Sequence, residues 1–131
     1  TGMDIFDCAL PTRVARNGAL FTSSGRIDVT NQKFSAKSGP IDELCDCYVC
    51  INFTVGYIHH LFKAKELLGL RLGSLHNVRF IVKFMENMRK SIIDGTFDSF
   101  ASKFRREYRP TDELIRVANK QAWIRKRHQI T

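Results

Sequence analysis

Three of the chain's four cysteines fall within six residues, Cys45-Asp46-Cys47-Tyr48-Val49-Cys50. Thiols one and two residues apart do not easily form a stable disulfide framework among themselves, and thiolates packed this closely repel unless a cation neutralises them. A Zn²⁺ ion does so, binding sulfur at about 2.3 Å in a tetrahedron that a short loop can wrap. The spacing therefore predicts a metal-stapled loop, against the plainer alternatives of three unliganded buried thiols or a site built from only some of them.

Three sulfurs leave one vertex of the tetrahedron open, and the candidates are Cys8, His59, His60, His76 and His128. His59 and His60 fall mid-helix, too far along the axis from Cys50 for a direct chelate. Cys8 ends a segment that other features place elsewhere. His76 follows "LGSL", where a helix start can lie alongside the cysteine loop, and it is the expected fourth ligand. Four protein ligands leave no position for a substrate water, which makes such a metal structural.

The 131 residues, 44% apolar and 26% charged, suit one globular unit with a modest core. No run approaches the ~18 apolar residues of a membrane span, and no secretory leader is evident, so a cytoplasmic, reduced location is expected. The chain opens on Thr1-Gly2 rather than Met, directly before a strand-like segment, as a piece of something longer would. Of the formal charge of +8, nine basic residues between Lys103 and Arg127 face only Glu107, Asp112 and Glu113. Such a stretch suits a polyanion such as nucleic acid, or is a solvated helix face.

Along the chain, residues 3–10 read as a buried strand stopped at Pro11, and "PTRVARNG" as a basic loop closed by Asn17-Gly18. "ALFT" and "RIDVT" flank "SSG" and predict a β-hairpin, with "NQKF" a third short strand. A Gly, Pro and Ser-rich loop leads to the cysteines. Helical spacing runs from Tyr48 to Leu68, with Gly69 just past its end. It places Phe53, Tyr57, His60 and Leu61 on one side, a stripe that suits core packing or an interface. Ser74 is expected to cap a helix from about Leu75 to Ile93, Thr96 to cap the next, and Thr111 to open a basic fourth. Asp7, near the end of the first strand, sits where α/β barrels place catalytic groups; an aspartate there also caps backbone amides in turns.

"GMDIFDCALPTRVARNGALF", "GPIDELCDCYVC", "YIHHLFKAKELLGLRL" and "LHNVRFIVKFMENMRKSIIDGTFDSFASKF" together resemble the C-terminal part of tRNA-guanine transglycosylase, also called queuine tRNA-ribosyltransferase. The similarity runs from Gly2 to about Tyr108, and "TRVARNG" and "YIHHL" look bacterial in type. The resemblance implies a pentosyltransferase with Asp7 as nucleophile, attacking the ribose C1′ of the wobble guanosine in the tRNA anticodon loop. It implies recognition of that region by Thr12, Arg13, Val14, Ala15 and Arg16, and a structural zinc on Cys45, Cys47, Cys50 and His76. The incoming base would be a 7-deazaguanine, 7-aminomethyl-7-deazaguanine or queuine, and the enzyme a homodimer.

The fold implied is α/β: the C-terminal portion of a (β/α)8 TIM barrel, its last strand and last helix, with an inserted zinc-binding subdomain of a short antiparallel hairpin plus helices. On that reading residues 1–18 hold the last strand and RNA-contacting loop, 19–74 the zinc subdomain, 75–108 the last barrel helix and its successor, and 109–131 a basic extension. A complete barrel takes about 250 residues. The family's base-binding aspartates, second catalytic aspartate and glycine-rich pocket loop have no counterpart here, so the resemblance implies a fragment inactive by itself. The alternative is a non-catalytic, zinc-stabilised module that binds tRNA or a partner subunit.

Overall fold

A computed structural model describes residues 5, 7–109, 117 and 121 of the chain. Helix α1 (Leu10–Arg16) leads into a hairpin of β1 (Ala19–Thr22) and β2 (Gly25–Asp28), then a 3-10 turn at Gln32–Phe34. After a long loop come α2 (Tyr48–Asn52), α3 (Val55–Lys63), the 27-residue α4 (Leu67–Ile93) and α5 (Phe97–Glu107). No described helix is long and apolar enough to cross a membrane.

The segment "PTRVAR" is helix rather than loop. Pro11 sits in the first turn, where the missing N–H costs nothing because it would have had no partner. Ahead of it, Asp7, Cys8 and Ala9 carry no strand. A barrel strand is held by hydrogen bonds to its neighbours, and among the described residues the one sheet is β1–β2. Met3, Asp4 and Phe6 of that expected strand lie outside the described residues, as does the expected helix at Thr111 apart from Val117 and Gln121, both helical.

The hairpin forms as its sequence predicts, antiparallel with Leu20 opposite Ile27 and Phe21 opposite Arg26. Gly18, at φ +82°, makes the turn out of α1, and Thr30 crowds the space a side chain there would need. "NQKF" forms the 3-10 turn instead of a strand: Asn31 caps it by accepting from the Lys33 amide, and Phe34 drops into the core.

The helix expected over Tyr48–Leu68 breaks at Phe53 and Thr54, both extended. Thr54 Oγ1 accepts the Tyr57 amide, while the Val55 and Gly56 amides donate to the carbonyls of Gly39 and Lys37 at 2.8 and 3.1 Å. The first-turn donors of α3 are thus satisfied by the preceding loop, a pairing that apolar periodicity cannot reveal. A Cβ on Gly56 would stand 2.8 Å from that Lys37 carbonyl oxygen.

Helix α4 begins at Leu67, eight residues earlier than expected. Gly69 and Gly73 lie inside it and let neighbouring segments approach: a Cβ on the first would meet Leu61 at 3.0 Å, and on the second Leu20 at 3.2 Å. Ser74 is no cap; its hydroxyl donates to the Leu70 carbonyl one turn back. At the far end Gly95, at φ +67°, closes the helix, and the Thr96 amide donates to Ser91 O. Thr96 makes no side-chain cap to α5. That helix packs Phe100 and Phe104 on Phe84, and the Arg109 amide then donates to Ser24 O in the hairpin turn.

The core gathers Ala15, Leu20, Val29, Phe34, Ile41, Val49, Val55, Ile58, Leu61 and Leu72, with Ile27 of β2 packed against it; α5 contributes nothing to it. The buried face of α4 is Gly69, Leu72, Gly73, His76 and Asn77, the spacing of one helical stripe. It sets two polar side chains against β1.

Candidate metal centre

Helix α2 starts inside the cysteine cluster: Cys47 is its cap, its sulfur accepting the Cys50 amide at 3.3 Å. That turn brings Cys47 and Cys50 to one side, and the Cys45 amide donating to Asp42 O folds the third thiol in beside them. His76, wholly buried on α4, completes the set. Its Nδ1 lies 3.7 Å from Cys45 Sγ and 3.4 Å from the sulfurs of both Cys47 and Cys50. All four donor atoms lie within 4.8 Å of one another.

A tetrahedral ion bonded to sulfur at about 2.3 Å and to imidazole nitrogen at about 2.0 Å has an N···S edge of about 3.5 Å. The observed edges match. The ring's other nitrogen is engaged too: Nε2–H donates to Phe21 O at 2.7 Å, which leaves the Nδ1 lone pair facing the sulfurs, the usual outer-shell arrangement of a metal-bound histidine.

The three thiols are not equivalent. Cys47 is pulled down to about 3, chiefly by the hydrogen bond it receives from Cys50 and further by His76. That same bond pushes Cys50 up, and burial pushes Cys45 up to about 11. Adjacent thiolates repel one another, and a cation among the three sulfurs would favour the ionised form of each.

The cysteine loop is braced from two directions. Asp42, buried, accepts from the Ser23 amide and hydroxyl at 2.6 and 2.9 Å and from the Leu44 amide at 3.1 Å, tying the loop to the hairpin turn. Arg79, one turn past His76, grips Asp46 with both arms at 2.9 and 2.6 Å. Its guanidinium holds the Asp46 carboxyl below the ordinary carboxylate range.

Of the other ligand candidates, His59 is buried with Nδ1 2.8 Å from Val29 O, a core hydrogen bond, while His60 and Cys8 are exposed and His128 lies outside the described residues. Asp7 is exposed, as are Arg13 and Arg16 on α1; Thr12 and Val14 are half-buried, and Ala15 is fully buried in the core. Sequence reasoning passed over Asp42, Arg79, Phe21 and Asn77. Only the acidic residue between two cysteines hinted at such a brace, and nothing local marked the rest.

A small hairpin and a helical scaffold closed by a Cys3His set define a mixed helix-and-strand protein with a candidate metal site. Residues 1–110 match the family profile described as queuine tRNA-ribosyltransferase. Among curated relatives bearing that name, the protein of Dehalococcoides mccartyi strain CBDB1 is 47% identical over 123 residues, 94% of this chain and 31% of the relative. That of Herpetosiphon aurantiacus is 42% identical, covering 92% of this chain and 31% of the relative. That of Francisella tularensis strain WY96-3418 is 46% identical, covering 82% and 29%. This chain belongs to the queuine tRNA-ribosyltransferase family. It spans about a third of the length of the relatives it matches.

Proposed function

We propose that this chain is the C-terminal part of a tRNA-guanine transglycosylase, and that its own contributions are the nucleophile, an RNA-contacting helix and a structural zinc site. The observation that carries the reading is the placement of Asp7. It is exposed three residues ahead of α1, whose solvent side bears Arg13 and Arg16, in a chain of a family named for ribosyl transfer to tRNA.

In this reading an Asp7 carboxylate oxygen bonds to ribose C1′ of the wobble guanosine as the C1′–N9 bond breaks, and guanine leaves with the bonding pair, its N9 taking a proton from water. The N9 of an incoming 7-deazaguanine then bonds to C1′, gives up its proton to water, and displaces the carboxylate. Two inversions at C1′ retain configuration, as in retaining glycosidases. Arg13 and Arg16 offer forked donors to phosphates or exposed base edges of the splayed loop.

The four ligands suit Zn²⁺ by donor type and by edge length, and a closed set gives it a structural part. It would hold α2, the cysteine loop and α4 together. The upstream chain of the longer relatives would supply the remaining barrel, with α4 as its last helix. A second copy would dock on Tyr48, Phe53, Tyr57 and His60, where Phe53 stacks on Tyr57 at 5.6 Å and Tyr48 meets its edge at 5.8 Å. Leu61, from the same stripe, belongs to the core instead.

The test is Asp7→Asn in the full-length protein. Wild type incubated with tRNA should yield a denaturation-resistant RNA adduct and exchange guanine; the variant should do neither. Guanine exchange at the wild-type rate in the variant removes Asp7 from the chemistry.

A further inference from the structure

We infer that Asn77 is a positioning residue, which carries the fixed geometry of the metal-bearing scaffold to the segment holding Asp7, Arg13 and Arg16. What that segment does rests on the function proposed above. How it is held rests on hydrogen bonds alone.

Asn77 is wholly buried, and each of its three hydrogen bonds goes to main chain. Oδ1 accepts the Phe21 amide at 3.0 Å, and Nδ2 donates to Pro11 O and Ala19 O at 3.0 Å each. Two carbonyls on one side and an N–H on the other demand a side chain with two donors and an acceptor, and a primary amide meets that demand. Asp would set oxygen against two carbonyl oxygens. An aliphatic residue would leave three backbone groups without that partner, those of Phe21 and Pro11 buried and that of Ala19 half-buried.

Phe21 joins this network to the metal centre. Asn77 takes its N–H and His76 its carbonyl, so two consecutive residues of α4 clamp the outer edge of β1. His76 is oriented by the three sulfurs, and Asn77 rides on the same helical turn. The next link is Pro11, in the first turn of α1 and four residues after Asp7. The close approach of α1 to α4, where Gly73 passes the Ala15 carbonyl, sets their spacing but supplies no directional bond. Among the described residues, the Asn77–Pro11 bond is the one side-chain hydrogen bond joining α1 to α4, and being directional it sets the register.

Displacing a reacting group by about 1 Å can cost a hundredfold in rate. In the full-length protein carrying Asn77→Asp or Asn77→Ser, loaded with zinc, adduct formation on tRNA without incoming base should slow by about that factor. Its final amount per protein should stay at the wild-type value, with zinc stoichiometry unchanged. A merely structural role would do the reverse, lowering the amount formed while the remaining molecules react at the normal rate, and that result overturns the inference. A second readout needs no activity: amide hydrogens of residues 13–18 should exchange at least about tenfold faster in Asn77→Ser, while those of Val55–Lys63 keep their protection. Unchanged exchange in residues 13–18 also overturns it. Wild type that forms no adduct would instead sink the proposed function, and the amide exchange would still decide whether Asn77 holds α1.

Discussion

His76 and Phe21 are joined by a hydrogen bond of 2.7 Å from the imidazole Nε2 to the carbonyl oxygen of β1. This bond selects the tautomer: with the proton on Nε2, the Nδ1 lone pair is left for the space between three sulfurs. One side chain therefore ties the hairpin to α4 and completes the ligand set.

Replacing His76 separates these duties. His76→Ala removes a ligand and leaves the Phe21 carbonyl buried without a donor. His76→Gln can still donate to that carbonyl but is a poor metal ligand. Outer-shell partners alone are worth about 10- to 100-fold in metal affinity, so loss of the ligand should exceed that. Metal analysis of both variants should find less than half the wild-type zinc, and thermal melting should find the alanine variant the less stable. Full zinc retention in both would remove His76 from the site.

Zinc uptake should release protons in a set number. At pH 8 Cys47, held at about 3, is already a thiolate, whereas Cys45, pushed up to about 11, and Cys50, pushed up further, carry protons. Binding should then free about two protons per ion in a pH-stat titration. In the metal-free chain the signs oppose. Cys47, lowered from 9.0, contributes stability that is complete above pH 9 and declines as pH falls toward 3. Cys45, raised from 9.0, contributes stability that is complete below pH 9 and is lost as pH rises through about 11. Denaturant titrations of reduced, zinc-free protein should show this thiol contribution greatest near pH 9. Release of three protons per ion would contradict the assignment of Cys47 as the standing thiolate.

Asp42 should matter more than its distance from the metal suggests. Asp42→Ala strips an acceptor from the Ser23 amide and hydroxyl and from the Leu44 amide, bonds made to a charged group. A loss of about 2–3 kcal/mol is expected in urea unfolding of the zinc-loaded protein, with faster zinc release to a chelator. Stability within about 0.5 kcal/mol of wild type would show that water replaces these bonds without cost.

The hairpin was legible because its turn and strand signals are local, and so was the end of α4 at Ile93–Gly95. The start of α4 was not. Gly69 reads as a stop in isolation, yet the close approach of Leu61 and of Leu20 to Gly69 and Gly73 offsets the roughly 1 kcal/mol that each glycine costs a helix. The break at Phe53–Thr54 was hidden for a similar reason: its amides are satisfied by Lys37 and Gly39, residues chosen by folding. Pro11 was read as a strand stop when it opens a helix, since both settings tolerate a residue without an N–H.

What the linear order of residues determined by itself was the chemistry that needs neighbours in the chain: three thiols in six residues, the hairpin, the family motif around Asp7. Which distant groups complete that chemistry was decided in three dimensions. His76 stands 26 to 31 residues from its sulfurs and 55 from the carbonyl that orients it. A helix face packed on a strand edge brings them together, because buried polar atoms must find partners wherever the packing puts them.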